Sequence, residues 1–156
     1  MKGGNLMADR TPALDLVYEL VLLLGEDMRH ALARDGLTTS RAALLWHLDQ
    51  AGPSTQRALA DALGVSPRHV TGRVDALEAT GFVRRAPHPH DRRATLVSFT
   101  DHGARVAAGL SRGKDELAGV LFGGLDPDRY ACFVEGLTEV LTALRERGLS
   151  PDGPGR

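Results

Sequence analysis

Apolar residues recur with a helical period in six stretches of the chain and with a period of two in one. The first stretch runs from about Pro12 to Ala33, where Leu14, Val17, Val21, Leu24 and Met28 form a stripe that Leu16, Leu20 and Leu23 widen. Gly36-Leu37-Thr38-Thr39-Ser40 breaks it. A second helix, about Ser40 to Ala51, carries Ala43, Leu44, Trp46, His47 and Leu48 and stops at Gly52-Pro53. A third starts near Thr55 or Gln56 and shows Leu59, Ala62 and Leu63 on one face, before Gly64. Ser66 is a good N-cap and Pro67 suits a first helical position, so a fourth helix is expected from Pro67 to about Thr80. Its Val70, Val74 and Leu77 lie at i, i+4, i+7 and face inward. Two helices joined by so short a turn suggest a helix-turn-helix.

Gly81 is a natural C-cap, and Phe82 and Val83 begin a strand. From Thr95 to Thr100 a second strand alternates with period two. The connection from Arg84 to Arg93, with Pro87 and Pro89, reads as too long and too proline-rich for a tight turn, so it is expected to project as a wing. Thr100 or Asp101 caps a fifth helix running to about Phe122, with Val106, Leu110, Leu117 and Leu121 on its buried side. Asp126-Pro127 starts a sixth, to about Arg147, striped by Tyr130, Phe133, Val134, Leu137, Val140, Leu141 and Leu144. Residues 1–10 and 150–156 are expected to be disordered, and Met1 and Met7 are both candidate start residues. The fold class is mainly α with a small β-hairpin wing, an α+β arrangement.

The outward face of the fourth helix carries the first chemistry. At 100° per residue, Arg68 and Gly72 point away from the core, flanked by His69, Thr71 and Asp75. An Arg near a helix start and a Gly that permits close approach suit a DNA major groove; the competing reading is a solvated helix face. Arginines on a wing tip can enter a narrow minor groove, where the negative potential is strongest.

Charge changes the picture. The 156 residues sum to a formal -1, which by itself does not suggest nucleic acid. From Ser54 to Thr100, however, seven Arg (57, 68, 73, 84, 85, 92, 93) face four acids (Asp61, Asp75, Glu78, Asp91), a net +3, which leaves -4 for the remainder. His69, His88 and His90 sit in the same basic segment. A cationic lobe on an acidic body follows.

The segment resembles the winged helix-turn-helix of the MarR family of bacterial transcription regulators. The family's wing signature reads D-x-R, three residues, V, one residue, L-T, then a helix start containing Gly. Here Asp91, Arg93, Val97, Phe99, Thr100 and Asp101-His102-Gly103 match it, with Phe99 for the usual Leu. The upstream pattern is met by Val70-Thr71, Val74-Asp75, Leu77-Glu78, Gly81 and Val83. The resemblance implies a homodimer on a pseudo-palindromic double-stranded operator, usually as a repressor, with the first and last helices of both chains interlocked. Residues 12–36 and 101–148 are then dimerisation helices and 37–100 the DNA-binding domain. The expected DNA-binding residues are Gln56, Arg57, Ser66, Arg68, His69, Thr71, Gly72, Arg73, Asp91, Arg92 and Arg93, with Asp91 orienting Arg93. By the same resemblance a small aromatic or phenolic acid weakens DNA binding, and Arg29, His30, Trp46 and His47 are candidates to line its pocket. Trp46 has a plainer reading as a core residue.

Other chemistry is not expected. The chain has no G-x-S-x-G, H-E-x-x-H or phosphate-binding glycine loop, so no enzyme and no cofactor is expected. His88 and His90 alone make a poor metal site, and His30, His47 and His102 are far apart, so no metal is expected. The single cysteine, Cys132, reads as a small buried residue rather than a sensor. Peroxide-sensing relatives carry their reactive Cys near the start of the first helix, which here has none. No apolar run approaches the ~20 residues that span a bilayer. With no signal peptide in view, a cytoplasmic protein is expected. The alternative function is a winged-helix module that binds protein; the arginine-bearing wing favours DNA.

Overall fold

A computed structural model describes residues 11–149. Six helices and three short strands follow one another: α1 (Thr11–Arg34), α2 (Thr39–Ala51), β1 (Ser54–Thr55), α3 (Gln56–Leu63), α4 (Pro67–Ala79), β2 (Val83–His88), β3 (Asp91–Phe99), α5 (Asp101–Phe122) and α6 (Pro127–Glu146). The mainly helical class with a β wing holds. The expected disorder of 1–10 and 150–156 lies outside the described residues.

The chain forms two compact units, Met1–Thr39 and Ser40–Arg156. The first contains α1. Its least exposed residues fall on one stripe, Val17, Leu24, Met28 and Ala31, and only Leu32 within the helix is buried. Leu14, Leu16, Tyr18, Leu20, Val21, Leu22 and Leu23 are all exposed.

The second unit holds the winged lobe. Leu44, Leu45, Leu59, Val70, Val74, Leu77, Val83 and Val97 are fully buried in it. Burying such a side chain stabilises by about 1.5–3 kcal/mol, so the lobe has a core of its own. The inward face of α4 is the one its periodicity predicts. On α3 the expectation is only partly met: Leu59 and Ala60 are buried, Leu63 is half-buried and Ala62 is exposed. With eight residues, α3 is too short for periodicity to fix its facing angle.

Two features of the sheet differ from the sequence reading. First, the sheet has three strands, ordered β1-β3-β2, all antiparallel. The extra strand is only Ser54–Thr55, paired with Val97 and Leu96, and two residues leave no alternation to detect. Second, the hairpin does not open at Arg84. Pairing continues through Arg85↔Val97 and Pro87↔Thr95 to His88↔Asp91, with an irregularity between Pro87 and His88. Pro87 is tolerated because β2 is an edge strand, where its missing N–H breaks no ladder. The wing is therefore a paired ribbon that turns at Pro89-His90.

Caps fix where the helices start. The hydroxyls of Thr55, Ser66 and Thr100 accept from the backbone N–H of Ala58, His69 and Gly103 at 3.1, 3.4 and 3.0 Å. Asp126 accepts from Asp128 and Arg129. Gly64 ends α3 at φ 64° and Gly81 follows α4 at φ 77°, a left-handed conformation that costs glycine little. Gly103 has a different duty. A Cβ there would stand 1.8 Å from the Phe82 carbonyl oxygen, so only glycine lets α5 start against the base of the wing. That carbonyl also accepts from the Thr100 amide at 3.1 Å.

No residue of α6 is buried. Its seven stripe residues, Tyr130 to Leu144, are each 38–45% exposed, and Val120 and Leu121 on α5 are exposed as well. Cys132 is exposed, which corrects its reading as a buried residue: it sits on a helix that buries none of its residues among the described ones.

Candidate nucleic-acid interface

The candidate surface is built on α4. Ser66 caps the helix at φ -67° and ψ 151°, and Pro67 opens it. This leaves Arg68 and His69 in the first turn, both exposed, with Thr71 and Gly72 one turn on. A Cβ on Gly72 would meet nothing within 4 Å, so the chain itself has no need of glycine there. The Ser66 hydroxyl stands 3.1 Å from Nδ1 of His69. Thr71 donates to the Pro67 carbonyl at 3.0 Å and accepts from Nε2 of Gln56 at 3.2 Å. Arg57 is exposed on α3, and Arg73 is half-buried and engaged.

Beyond α4, the wing carries the remaining candidates. The Asp91 carboxylate accepts from the backbone N–H of Arg93 at 2.9 Å. It braces the turn by holding the Arg93 backbone; no bond joins the two side chains among the described residues. Both residues are exposed. Arg92 lies in β3, and its side chain is outside the described residues.

Arg85 is the residue that sequence reasoning missed. It was counted as a wing cation, but it is only 22% exposed and turns toward α4. Its guanidinium donates to Asp75 at 2.5 Å through Nη2, to Glu78 at 2.5 Å through Nη1 and to Gln56 at 3.3 Å through Nε. Its backbone N–H donates to the other Glu78 oxygen at 3.1 Å. Burial pulls the Arg85 pKa down, but the hydrogen bonds and charges of Asp75 and Glu78 outweigh it and leave the pKa raised. The electrostatic consequence is direct. Arg85, Asp75 and Glu78 together carry -1, so the rest of Ser54–Thr100 holds six Arg against two acids, a net +4. The acids on α4 are paired with Arg85 at the lobe's surface, so their charge is offset beside the outward Arg68 face.

The four residues expected to line a ligand pocket divide between the two units. In the first, Arg29 bonds Glu26 at 2.5 Å and His30 lies 3.4 Å from the same carboxylate oxygen, on an exposed stretch of α1. In the second, Trp46 and His47 are half-buried on α2. Nε1 of Trp46 is buried without a hydrogen-bond partner. No group of three or more His, Cys, Asp or Glu that could hold a metal ion occurs among the described residues. No described helix is long and apolar enough to cross a membrane.

The model of the MarR family matches residues 37–95, the span from the end of the first unit to the wing. An HTH-type transcriptional regulator of Mycobacterium tuberculosis is 33% identical over 96 residues, which is 62% of this chain and 67% of that protein. The chain belongs to the MarR family. It is a MarR-family helix-turn-helix transcriptional regulator. Among solved structures, a mutant of MarR from E. coli is 25% identical with a TM-score of 0.63, covering 81% of this chain and 94% of its own. A mutant of MarR solved with operator DNA has the same fold, at 24% identity and a TM-score of 0.68 over 88% of this chain and 99% of its own. With the family in hand, the signature residues gain physical reasons. The signature's glycine, Gly103, is the close approach to Phe82, and the acids of the upstream pattern, Asp75 and Glu78, are the partners of Arg85.

Proposed function

We propose that two copies of the chain bind a pseudo-palindromic operator, with α4 of each in a major groove and each wing along an adjacent minor groove. The observation that carries this reading is the outward face of α4. Arg68 and His69 stand exposed in a capped first turn, with Gly72 open beside them, and the neighbouring acids are occupied by Arg85. Residues 37–100 are the proposed DNA-binding domain. Gln56, Arg57, Ser66, Arg68, His69, Thr71, Gly72, Arg73, Asp91, Arg92 and Arg93 are its proposed contacts or supports. The DNA complex of the E. coli mutant MarR supports the same use of the fold. Residues 12–36 and 101–148 are the proposed dimerisation elements. The uncovered stripes of α1 and α6 support this, because so much exposed apolar surface marks an interface. A two-fold dimer would reach half-sites about 34–36 Å apart. Repression is the proposed outcome of operator occupancy.

The test is selection from a pool of random duplexes with the purified protein, followed by sequencing. Enrichment of an inverted repeat is expected; a pool that stays random refutes the reading. On the enriched duplex, Arg68→Ala should lose about 1–3 kcal/mol and relax base choice, as loss of a base-reading Arg does. Arg93→Ala should weaken binding more evenly across sequences, because the minor groove carries a degenerate code.

A small aromatic or phenolic acid is the proposed effector. The buried, unpartnered Nε1 of Trp46 supports an oxygen acceptor at that point. Arg29 and His30 already share Glu26, so the proposal rests more on Trp46 and His47. Trp46 is the single tryptophan, so its fluorescence reports directly on titration with hydroxybenzoate. An unchanged spectrum at millimolar hydroxybenzoate would count against it.

A further inference from the structure

We infer that Arg85 is a positioning residue that locks the wing to the DNA-reading helix, so that the two elements meet DNA as one rigid piece. Three side chains converge on it, Asp75 and Glu78 from α4 and Gln56 from α3, while Arg85 itself stands in β2, so three elements meet there. The acceptors are arranged along the helix. Thr71, Asp75 and Glu78 lie at i, i+4 and i+7, a row along the flank of α4 between the core face and the Arg68 face, with Asp75 bordering Arg68. Gln56 extends the grip toward the helix start, because its amide donates to Thr71 while its carbonyl accepts from Arg85. The network thus spans two turns of α4 and ends at the capped turn that presents Arg68 and His69.

Magnitudes decide what the network is for. Asp75 and Glu78 are 60% and 41% exposed, and ion pairs this open stabilise a fold little. Their geometry is the gain: a planar guanidinium held by two carboxylates and an amide has one orientation, which a lysine ammonium cannot copy. The inference rests on the DNA-binding reading above, and it assigns Arg85 to the inside of the lobe rather than to a phosphate.

The experiment has two arms. The first uses the full chain without DNA and follows amide hydrogen exchange. Glu78→Ala should speed exchange at the Arg85 amide, which donates to Glu78, and Arg85→Lys should speed exchange across β2 and the first turns of α4 together. Unchanged exchange in both variants overturns the lock. The second arm measures binding to the duplex enriched from the random pool, at several salt concentrations. The doubly substituted Asp75→Asn, Glu78→Gln protein has two fewer negative charges, so simple electrostatics predicts tighter binding. The lock predicts binding about tenfold weaker, the scale of coupling between touching residues. Arg85→Lys should show a similar loss with the wild-type salt slope. If instead Arg85→Gln lowers that slope by about one while Arg85→Lys binds like the wild type, Arg85 is a phosphate contact and the inference fails. A wild-type protein that enriches no duplex refutes the regulator reading; the exchange arm still tests the lock.

Discussion

The helix α4 and the helix α6 both carry an unbroken apolar stripe, yet only α4 hides its stripe within the chain. Val70, Val74 and Leu77 are wholly buried, whereas Leu137, Val140, Leu141 and Leu144 remain 38–45% exposed. The same periodicity therefore serves two ends. One stripe is met by α3 and β2, the elements on either side of α4 in the sequence. The other stays open among the described residues, and exposed apolar surface of that extent marks an interaction site. The lobe closes a core of its own, whereas α6 leaves its stripe open.

Substituting a charge into each stripe is the sharpest way to break this comparison. Val74→Asp should cost about 4–5 kcal/mol and unfold the lobe, because an unpaired charge in a closed core has no partner. Leu137→Asp should instead leave the lobe folded and abolish the dimer, read as a monomer mass in light scattering at micromolar protein and native-like exchange in β2 and β3. If Leu137→Asp leaves a dimer intact, α6 is not an interface.

Gly103→Ala comes next in size. The added Cβ would press on backbone, at 1.8 Å from the Phe82 oxygen, and backbone yields less than a flexible side chain. A loss of about 3 kcal/mol in urea unfolding is expected, the upper range for overpacking. A variant as stable as the wild type would mean that the start of α5 is free to shift. Gly72→Ala is the smaller counterpart, with effects of opposite sign. Its space is open, so the lobe should gain up to ~1 kcal/mol from better helix propensity while operator affinity falls. Unimpaired binding would show that α4 does not approach DNA at Gly72. Smallest is Cys132→Ser, expected within about 0.5 kcal/mol of wild type in stability and equal in DNA affinity, with or without peroxide. A peroxide-dependent loss of binding that vanishes in the variant would reveal a redox response on α6.

Much of this architecture was legible in local pattern. The caps Ser66, Thr100 and Asp126 and the stops Gly64 and Gly81 are decided by chemistry within a few residues, and sequence shows them directly. The inward face of α4 follows from period alone. What could not be read depends on neighbours distant in sequence. Strand β1 exists only because β3 lies beside it, 43 residues away in the Ser54↔Val97 pair. Arg85 looked like one more cation in a basic run; its turn inward depends on where the sheet sets β2 against α4. Cys132 was misjudged because a helical stripe tells that something covers it, not that the cover belongs to the same chain. Asp91 was expected to steer the Arg93 side chain and instead holds its backbone, a distinction of one atom that spacing cannot make.

The open side of β2 has a consequence for how the protein behaves when crowded. An edge strand with free amides is a template on which another chain can add a strand and begin to aggregate. Along β2, positions 85 and 87 share one edge. The Arg85 amide is occupied by Glu78, and Pro87 has no amide to offer. The same contact that steadies the wing thus withdraws a donor from this edge, and with Pro87 beside it the β2 side of the ribbon offers a poorer template to another chain.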